Sequence, residues 1–330
     1  MDFLQLLHNE LRGGLRSTPA SYRSRHAAWL AAQQLEGGGF ANRRGLPDLY
    51  YTTFGLRALS CLDALTPAMA ARALEFLITE TRATRPPFRD AVHAVSWWDA
   101  AKLCEEAGAA LTVVAGDEAR ERTRLGLAAL RRKDGGWAKH PQEGNGSLYH
   151  TFLAALTFRR MGGTVPEAER LSPFLAGLIE ASGGFRENAY SKRPGTNATA
   201  AGVALTLLLK SSGLPGLLAG WDALRDALSG WASRDLRTHG TFLMELQNDE
   251  GGFQATPNAP FADLLSTYTA LFTLKNIAAL DDRSLARGGS YARTLELSEG
   301  GYVGFALEAD PDCEYTFYGL GVASLEAATS

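Results

Sequence analysis

Two kinds of helical stretch alternate along the chain. One kind is amphipathic, with apolar and charged sides, as in Glu118–Lys133, Glu167–Glu180 and Arg283–Glu296. The other kind is apolar on nearly all sides and covers Leu49–Leu62, Asp90–Glu105, Leu148–Met161, Ala198–Leu209, Leu264–Leu274 and Glu314–Leu325. Their residue types favour helix, and a helix that is apolar all round is buried. The pattern therefore predicts pairs of an outer and an inner helix.

An aromatic residue recurs between the two helices of each pair. The six are Phe40, Phe88, Trp137, Phe185, Phe253 and Tyr302, and the differences between their numbers are 48, 49, 48, 68 and 49. Five of them follow a Gly-Gly pair, which typically ends a helix, whereas Phe88 follows two prolines. Such a period indicates a repeat protein whose units stack on their neighbours.

The repeat predicts an all-α fold, an (α/α)6 toroid of six helical hairpins that forms one domain over residues 1–330. The repeats fall roughly at 22–63, 66–107, 117–162, 165–211, 212–278 and 282–328. A closed ring needs no capping repeat, and an open solenoid is the alternative. The interval of 68 residues predicts an added outer helix or packed loop at 211–234, which contains Trp221 and Trp231.

Composition restricts the function classes. The net charge is −3, from 33 basic and 36 acidic residues without a basic stripe, which argues against nucleic acid. Three cysteines indicate a reducing compartment. Met1–Arg12 lacks the apolar core of a signal peptide, and no apolar run is long enough to span a membrane. We expect a cytoplasmic protein with no transmembrane segment; a peripheral membrane contact stays open.

The repeat units resemble one known superfamily. Gly-Gly-aromatic segments at 132–137, 247–254 and 298–302, followed by helices with Thr-x-x-(Ala/Gly)-Leu at 267–271 and 316–320, are similar to those of terpene cyclases and protein prenyltransferase β subunits. The resemblance covers about residues 22–328 and implies an isoprenoid-handling enzyme. Members of this fold also bind cobalamin or act as thioester-containing immune proteins, so the fold alone does not assign an activity.

The prenyltransferase β subunits hold a zinc ion with Asp, Cys and His. By resemblance the Asp corresponds to Asp263, whereas the Cys and His positions are Leu265 and Tyr315. Leucine cannot bind zinc, so we expect none. The family's basic diphosphate residues are also missing, although Lys192 and Arg193 lie near one of those positions. A diphosphate substrate would bring Mg²⁺, and transfer would bring a helical partner subunit.

The class II cyclases offer a second resemblance. They protonate an alkene or epoxide with an Asp at an inner-helix N-terminus, and oxidosqualene cyclases have Asp-Cys there. This chain has Asp310-Pro311-Asp312-Cys313-Glu314-Tyr315. The resemblance implies that Asp312 is the general acid, kept protonated by burial or by Asp310 and Glu314, with a hydrogen bond from Cys313. The alternative is that Asp312 only caps the helix.

Alignment of the inner helices on their threonines places Asp48, Ser147, Asp263 and Asp312 at one position. All four are plausible N-caps. In a toroid the inner N-termini open at one end, and their dipoles attract anions such as a diphosphate.

Aromatic inner-helix residues could stabilise a carbocation or line an isoprenoid cavity. The candidate substrate-binding residues are Asp48, Tyr51, Phe54, Trp97, Trp98, His150, Lys192, Arg193, Asp263, Tyr268 and Phe317. Trp97 and Trp98 cannot both face inward, because adjacent helix positions point about 100° apart. The sequence favours a class II-like cyclase; a prenyltransferase with a degenerate zinc site and a non-catalytic isoprenoid or cofactor carrier remain alternatives.

Overall fold

The computed structural model describes residues 3–83, 88, 90–109, 116–211 and 233–328. The predicted added helix or loop at 211–234, with both of its tryptophans, lies almost wholly outside these residues. The regular secondary structure of the described part is α-helical apart from short strands and a 3-10 turn. This confirms the all-α prediction.

Thirteen α-helices are present in the described part of the chain. They are α1 (Phe3–Arg16), α2 (Ala20–Ala32), α3 (Leu49–Cys61), α4 (Pro67–Ala83), α5 (Ala91–Glu106), α6 (Asp117–Leu130), α7 (Leu148–Arg160), α8 (Leu171–Ala176), α9 (Thr196–Ser211), α10 (Ser233–Met244), α11 (Leu264–Asn276), α12 (Asp282–Thr294) and α13 (Cys313–Ala327). The six inner helices are α3, α5, α7, α9, α11 and α13, and each follows its outer helix in the chain.

Two helices differ from the sequence pattern. The stretch Glu167–Glu180 forms only a 3-10 turn (Ala168–Arg170) and the six-residue α8, which ends before Gly177. Glu167 itself has a left-handed backbone with φ of 48°, so the helix cannot begin there. The other difference is α1, which the repeat pattern did not predict.

One hydrogen bond recurs through the repeats. The backbone N–H of the repeat aromatic donates to a threonine Oγ1 of the following inner helix, at 2.8 Å for both Phe40–Thr52 and Trp137–Thr151. The same bond joins Phe185 to Thr199, Phe253 to Thr267 and Tyr302 to Thr316. Short antiparallel strands bring these residues together: β1 (Phe40–Ala41) pairs with β2 (Pro47–Asp48), and β3 (Phe253–Gln254) with β4 (Ala262–Asp263).

The small residue of the Thr-x-x-(Ala/Gly) pattern makes room for the aromatic ring. A Cβ at Gly319 would lie 2.4 Å from the Tyr302 ring, and a Cβ at Gly202 would lie 2.7 Å from Phe185. The threonine thus binds the backbone of the aromatic residue, and the small residue leaves space for its ring.

The Gly-Gly pairs contact the outer helix of the next repeat. Gly38 has φ of +88°, and a Cβ there would overlap the carbonyl of Arg72 in α4. Gly300 has φ of +99° and lies in the same way against Arg25 of α2. The last repeat therefore packs on the first.

The chain divides into two compact units, which are described separately below. The terminal unit contains Leu7–Leu130 and Leu295–Ser330, and the central unit contains Met1–Leu6 and Arg131–Thr294. The inner helices α3, α5 and α13 belong to the terminal unit, and α7, α9 and α11 to the central unit. The prediction of one domain over 1–330 stays a prediction.

Within the terminal unit, α1 packs against the C-terminal ends of α3 and α13. Leu11 and Leu15 are fully buried, and Ser324 Oγ donates to the Leu11 carbonyl at 3.0 Å. Gly14 allows this close approach, because a Cβ there would overlap Ser324. Arg12 and Arg16 bind Asp63 just beyond α3. This end of α3 and α13 is therefore covered.

Candidate functional site

Acidic or hydroxyl side chains cap the inner helices. Asp48 accepts from the N–H of Tyr50 at 2.8 Å, and Asp263 accepts from the N–H of Ser266 at 2.7 Å. Asp312 and Ser147 cap α13 and α7 in the same manner. The N-cap interpretation of these four residues is thus confirmed, without excluding a further role for any of them.

The structure adds Asp90 to this set. Its side chain accepts from the N–H of His93 at 2.8 Å and caps α5. Alignment on threonine missed it, because Ala94 stands where the other helices have Thr.

Among the carboxyl groups near these helix starts, Glu314 has the pKa that differs most from its ordinary value. It lies in the first turn of α13, where Tyr50 Oη donates to its Oε1 at 2.7 Å and Tyr318 Oη approaches the same oxygen at 3.5 Å. Burial, with a smaller contribution from the nearby Asp312 carboxylate, raises the pKa of Glu314 to about 7, although the hydrogen bonds from Tyr50 and Tyr318 and the charge of Arg43 lower it. A substantial fraction of Glu314 is therefore protonated at neutral pH.

Asp312, the N-cap two residues before Glu314, lies in a different environment. Its Oδ1 accepts the N–H of Tyr315 at 2.8 Å, and its Oδ2 accepts from Arg43 Nε at 2.8 Å. The pKa of Asp312 is raised overall, because the effect of burial outweighs the Tyr315 N–H and the Arg43 guanidinium, which lower it. Both partners stabilise the ionised carboxylate.

Arg43 is a functional candidate that the sequence analysis missed. It extends from the loop of the first repeat to the last repeat, where it binds Asp312 and, at 3.0 Å, Glu308. Its guanidinium also lies over the Tyr315 ring, 5.1 Å from the centroid. An arginine in a loop carries no periodic signal, so only its contacts identify it.

A cluster of four aromatic residues, here called the aromatic wall, begins at the two tyrosines that contact Glu314 and consists of Tyr50, Phe54, Phe317 and Tyr318. The Phe54 ring centroid lies 4.9 Å from Tyr50, 5.4 Å from Phe317 and 5.5 Å from Tyr318. Tyr50 and Phe54 are half-buried, as is the neighbouring Tyr51, whose pKa burial raises to about 12. The wall combines the partly accessible rings of Tyr50 and Phe54 with one carboxyl group, Glu314, whose pKa is raised to about 7.

Other residues of the Asp-Pro-Asp-Cys segment differ in their exposure. Asp310 is exposed, and Tyr315 is half-buried. Cys313 is fully buried, and burial raises its pKa far above the usual range. Within the described residues its thiol makes no hydrogen bond to Asp312, so that part of the sequence prediction is wrong.

Trp97 and Trp98 do not line the aromatic wall. Both are buried, and their rings contact each other at 5.1 Å. The Trp97 indole donates to Leu77 of α4 at 3.3 Å, and the Trp98 indole donates to Thr123 of α6 at 2.9 Å. Each side chain therefore packs toward an outer helix, and their assignment to substrate binding is wrong.

The helix starts of the central unit are polar. His150 is buried, with Nδ1 2.9 Å from Ser147 Oγ, and Ser147 donates to the carboxylate of Glu187. Burial raises the pKa of Glu187, against the hydrogen bonds from Ser147 and Tyr149. The Ser147–His150–Glu187 cluster was not predicted, because Glu187 comes from the next repeat.

A second polar network joins α9 to α11. Thr269 donates to Asn197 Oδ1 at 2.8 Å, and Ser266 donates to Asp263 Oδ2 at 2.8 Å. Tyr268 is buried against Phe272, with centroids 5.7 Å apart. The candidates Lys192 and Arg193 are both exposed in the loop before α9.

The residues at the family's metal position do not fit a zinc ion. Both carboxylate oxygens of Asp263 accept hydrogen bonds from Ser266, and Leu265 offers no donor atom. The described ranges contain no cluster of three or more His, Cys, Asp or Glu side chains suited to a metal. Among the helices described, none has the length and apolarity to cross a membrane.

The chain belongs to the family described as prenyltransferase alpha-alpha toroid domain. Residues 8–88 and 164–328 match it, which is more than half of the chain. The toroid predicted from the repeat is thereby confirmed. No curated protein sequence matches the chain.

Proteins whose solved structures are similar to this fold are named as enzymes of different classes. Protein geranylgeranyltransferase-I of Candida albicans, complexed with GGPP, is 15% identical over 92% of this chain and 90% of that chain, with a TM-score of 0.66. The type II terpene cyclase MstE of Scytonema, with its substrate geranylgeranyl dihydroxybenzoate, is 14% identical over 99% of both chains, with a TM-score of 0.55.

A third similar structure is a glycoside hydrolase. The GH76A alpha-1,6-mannanase of Salegentibacter sp. is 12% identical over 94% of this chain and 99% of that chain, with a TM-score of 0.59. At such identities the likeness is one of fold. The reaction has to be argued from the residues of this chain.

Proposed function

We propose that this protein cyclises an isoprenoid, and that it starts the reaction by protonating a carbon–carbon double bond or an epoxide. The observation that carries the proposal is the Glu314 carboxyl group, with a pKa of about 7, within the aromatic wall of the terminal unit. A general acid must be protonated at the working pH, and Glu314 meets that condition near neutrality.

The contacts favour Glu314 over Asp312 as the proton donor. Asp312 is bound to Arg43 and to the start of α13, and both bonds stabilise its ionised form. Glu314 has only tyrosine hydroxyl partners on Oε1. Asp312 then acts as a positioning residue, whose charge helps to keep Glu314 protonated.

The proton transfer balances without a cofactor. Tyr50 and Tyr318 donate to Glu314 Oε1, so Oε2 carries the proton. The π electrons of the substrate form a new C–H bond with that proton, and the substrate becomes a carbocation. Glu314 becomes a carboxylate, which the two tyrosine hydroxyls stabilise.

The aromatic wall suits the cation that this step produces. Tyr50 and Phe54 are half-buried, Phe54 packs on the buried rings of Phe317 and Tyr318, and each accessible π face is worth about 0.5–2 kcal/mol toward a desolvated cation. Arg43 already binds two carboxylates, Asp312 and Glu308, so it is poorly placed to hold a diphosphate. These contacts support a neutral substrate.

Product analysis with matched variants tests the proposal. Purified protein is incubated with isoprenoid alcohols, isoprenoid diphosphates and squalene, and products are identified by mass spectrometry. On the substrate found, Glu314→Gln should abolish turnover, whereas Asp312→Asn should reduce it less. If no substrate is cyclised, the proposed function fails. If Asp312→Asn alone abolishes turnover, Asp312 is the acid instead.

A further inference from the structure

One face of α3 changes character along its length. Tyr50, Phe54, Arg57 and Cys61 follow each other at spacings of four, three and four residues, which places them on one side of the helix. Thr52, which binds Phe40, lies on the opposite side. From the N-terminus, this face is therefore aromatic over two turns and then charged.

The aromatic part of this face of α3 is partly accessible, whereas the part from Arg57 onward is buried. Tyr50 and Phe54 are half-buried, whereas Arg57 is 4% exposed and Cys61 is 1% exposed. A ligand lying along this face can therefore contact the first two turns of α3 but not the third.

Asp99 of α5 meets Arg57 at the same depth. Each lies nine residues after its N-cap, Asp48 or Asp90. Arg57 Nε donates to Asp99 Oδ2 at 3.0 Å, and a second contact joins Nη2 to Oδ1. Asp99 is 2% exposed. Separating two buried charges of this kind costs free energy, so the pair is a fixed layer at this depth.

Helix α1 covers the part of α3 that follows the Arg57–Asp99 pair. Cys61 Sγ lies 3.4 Å from His8 Nδ1, and both residues are buried. Ser324 on α13 is tied to Leu11 of α1. An apolar ligand therefore finds neither space nor an exit beyond the ion pair on this side.

We propose that the Arg57–Asp99 pair is the floor of the isoprenoid site and limits it to short chains. The inference rests on the proposed function, because the length of the site is taken from the proton donor Glu314 to the Arg57–Asp99 pair. Tyr50, which binds Glu314, precedes Arg57 by seven residues, which is about 10 Å along a helix, roughly the extended length of two isoprene units. The preferred substrate is therefore a ten-carbon isoprenoid or a ten-carbon apolar segment.

Binding of chain-length homologues tests this floor. Equilibrium dialysis of the full chain against radiolabelled geraniol, farnesol and geranylgeraniol gives three dissociation constants. Longer apolar chains bind more tightly wherever space permits. We expect the reverse order here, with geraniol bound about tenfold more tightly than geranylgeraniol.

A double variant tests whether the Arg57–Asp99 pair sets the limit on chain length. Arg57→Ala with Asp99→Ala removes both charges together and opens volume below Phe54, so the preference should shift about tenfold or more toward geranylgeraniol. Leu59→Ala is the matched control, because Leu59 is fully buried on the opposite side of α3. It should leave the preference unchanged.

The outcomes separate the two proposals. If the unmodified chain binds geranylgeraniol as tightly as geraniol, the floor is wrong while the proposed function stands, and this holds even if the double variant fails to fold. If none of the three alcohols binds and none is turned over, the proposed function fails and the floor with it.

Discussion

The inner helices of the two units start in the same way but present different chemistry. In the terminal unit, the turns after Asp48 and Asp312 carry Tyr50, Phe54 and Glu314, an aromatic surface with one acid whose pKa is raised to about 7. In the central unit, the turns after Ser147 and Asp263 form polar networks through Glu187 and Asn197. The scaffold of both is the same bond from a repeat aromatic to a threonine.

The difference shows how a repeat protein separates folding from function. The threonine and the small residue beside each aromatic face the outer layer and recur, because every repeat must bury its ring. Positions on the opposite side of the inner helix are free of that requirement, so each unit can fill them differently. Chemistry should therefore be sensitive to those positions, and stability to the recurring ones.

The largest effect is expected when the acid is removed from the aromatic side. Glu314→Gln keeps a hydrogen-bond acceptor for Tyr50 but cannot supply a proton, so turnover should fall by about 10²-fold or more. Asp263→Asn makes the equivalent charge change in the central unit, keeps the cap and should change turnover little. Initial rates on one confirmed substrate decide, and equal losses in both variants would remove the functional distinction between the units.

The shared scaffold predicts equal losses of stability in the two units. Thr52→Val and Thr267→Val each leave a buried N–H without its acceptor, at Phe40 and Phe253 respectively. Each should lower the free energy of unfolding by about 1–3 kcal/mol. Urea denaturation measures both, with the exposed Thr79→Val as control. A loss in only one unit would contradict the equivalence of the repeats.

A smaller effect is expected from the aromatic wall itself. Phe54→Leu keeps apolar volume but removes a π face close to Glu314, which should lower kcat by about tenfold, within the range of one cation–π contact. Thr269→Val in the polar network of the central unit should change kcat by less than about twofold. Steady-state kinetics with both variants provides the check, and a larger effect at Thr269 would place the reacting centre elsewhere.

The smallest effect concerns stability against pH. The pKa of Glu314 is about 7 in the folded chain and lies near its ordinary lower value once unfolded. The folded state therefore holds the proton more tightly, and its contribution to the free energy of unfolding is lost as pH rises to about 7. Denaturation curves of the parent chain and Glu314→Gln should diverge in this window. Parallel pH profiles would show that Glu314 titrates normally.

The sequence predicts most of the fold because the same residue types recur at the same positions of each repeat. The six aromatics, the glycine pairs and the threonines each appear at the expected helix boundary. The helix α1 escapes prediction because it belongs to no repeat and is defined by tertiary contacts such as Ser324 with Leu11. Phe88 marks its repeat, but Ala94 hides the cap at Asp90.

The candidate site is less predictable than the fold. The segment around Asp312 points to the correct helix start, but the balance between Asp312 and Glu314 depends on Arg43 and Tyr50, which lie more than 260 residues away in the chain. Trp97 and Trp98 illustrate the opposite error. Their residue type suggests a cavity wall, whereas their indole N–H groups show that they bind outer helices.

The contact of the last repeat with the first has a consequence for synthesis of the protein. Arg43 leaves the ribosome 269 residues before Asp312, its ion-pair partner. Arg25 likewise leaves the ribosome long before Gly300, which packs against it. During that interval the nascent chain exposes the apolar faces of α2 and α3. The terminal unit can therefore complete its packing only after its C-terminal repeat has been synthesised, and until then the exposed apolar surface favours binding of molecular chaperones.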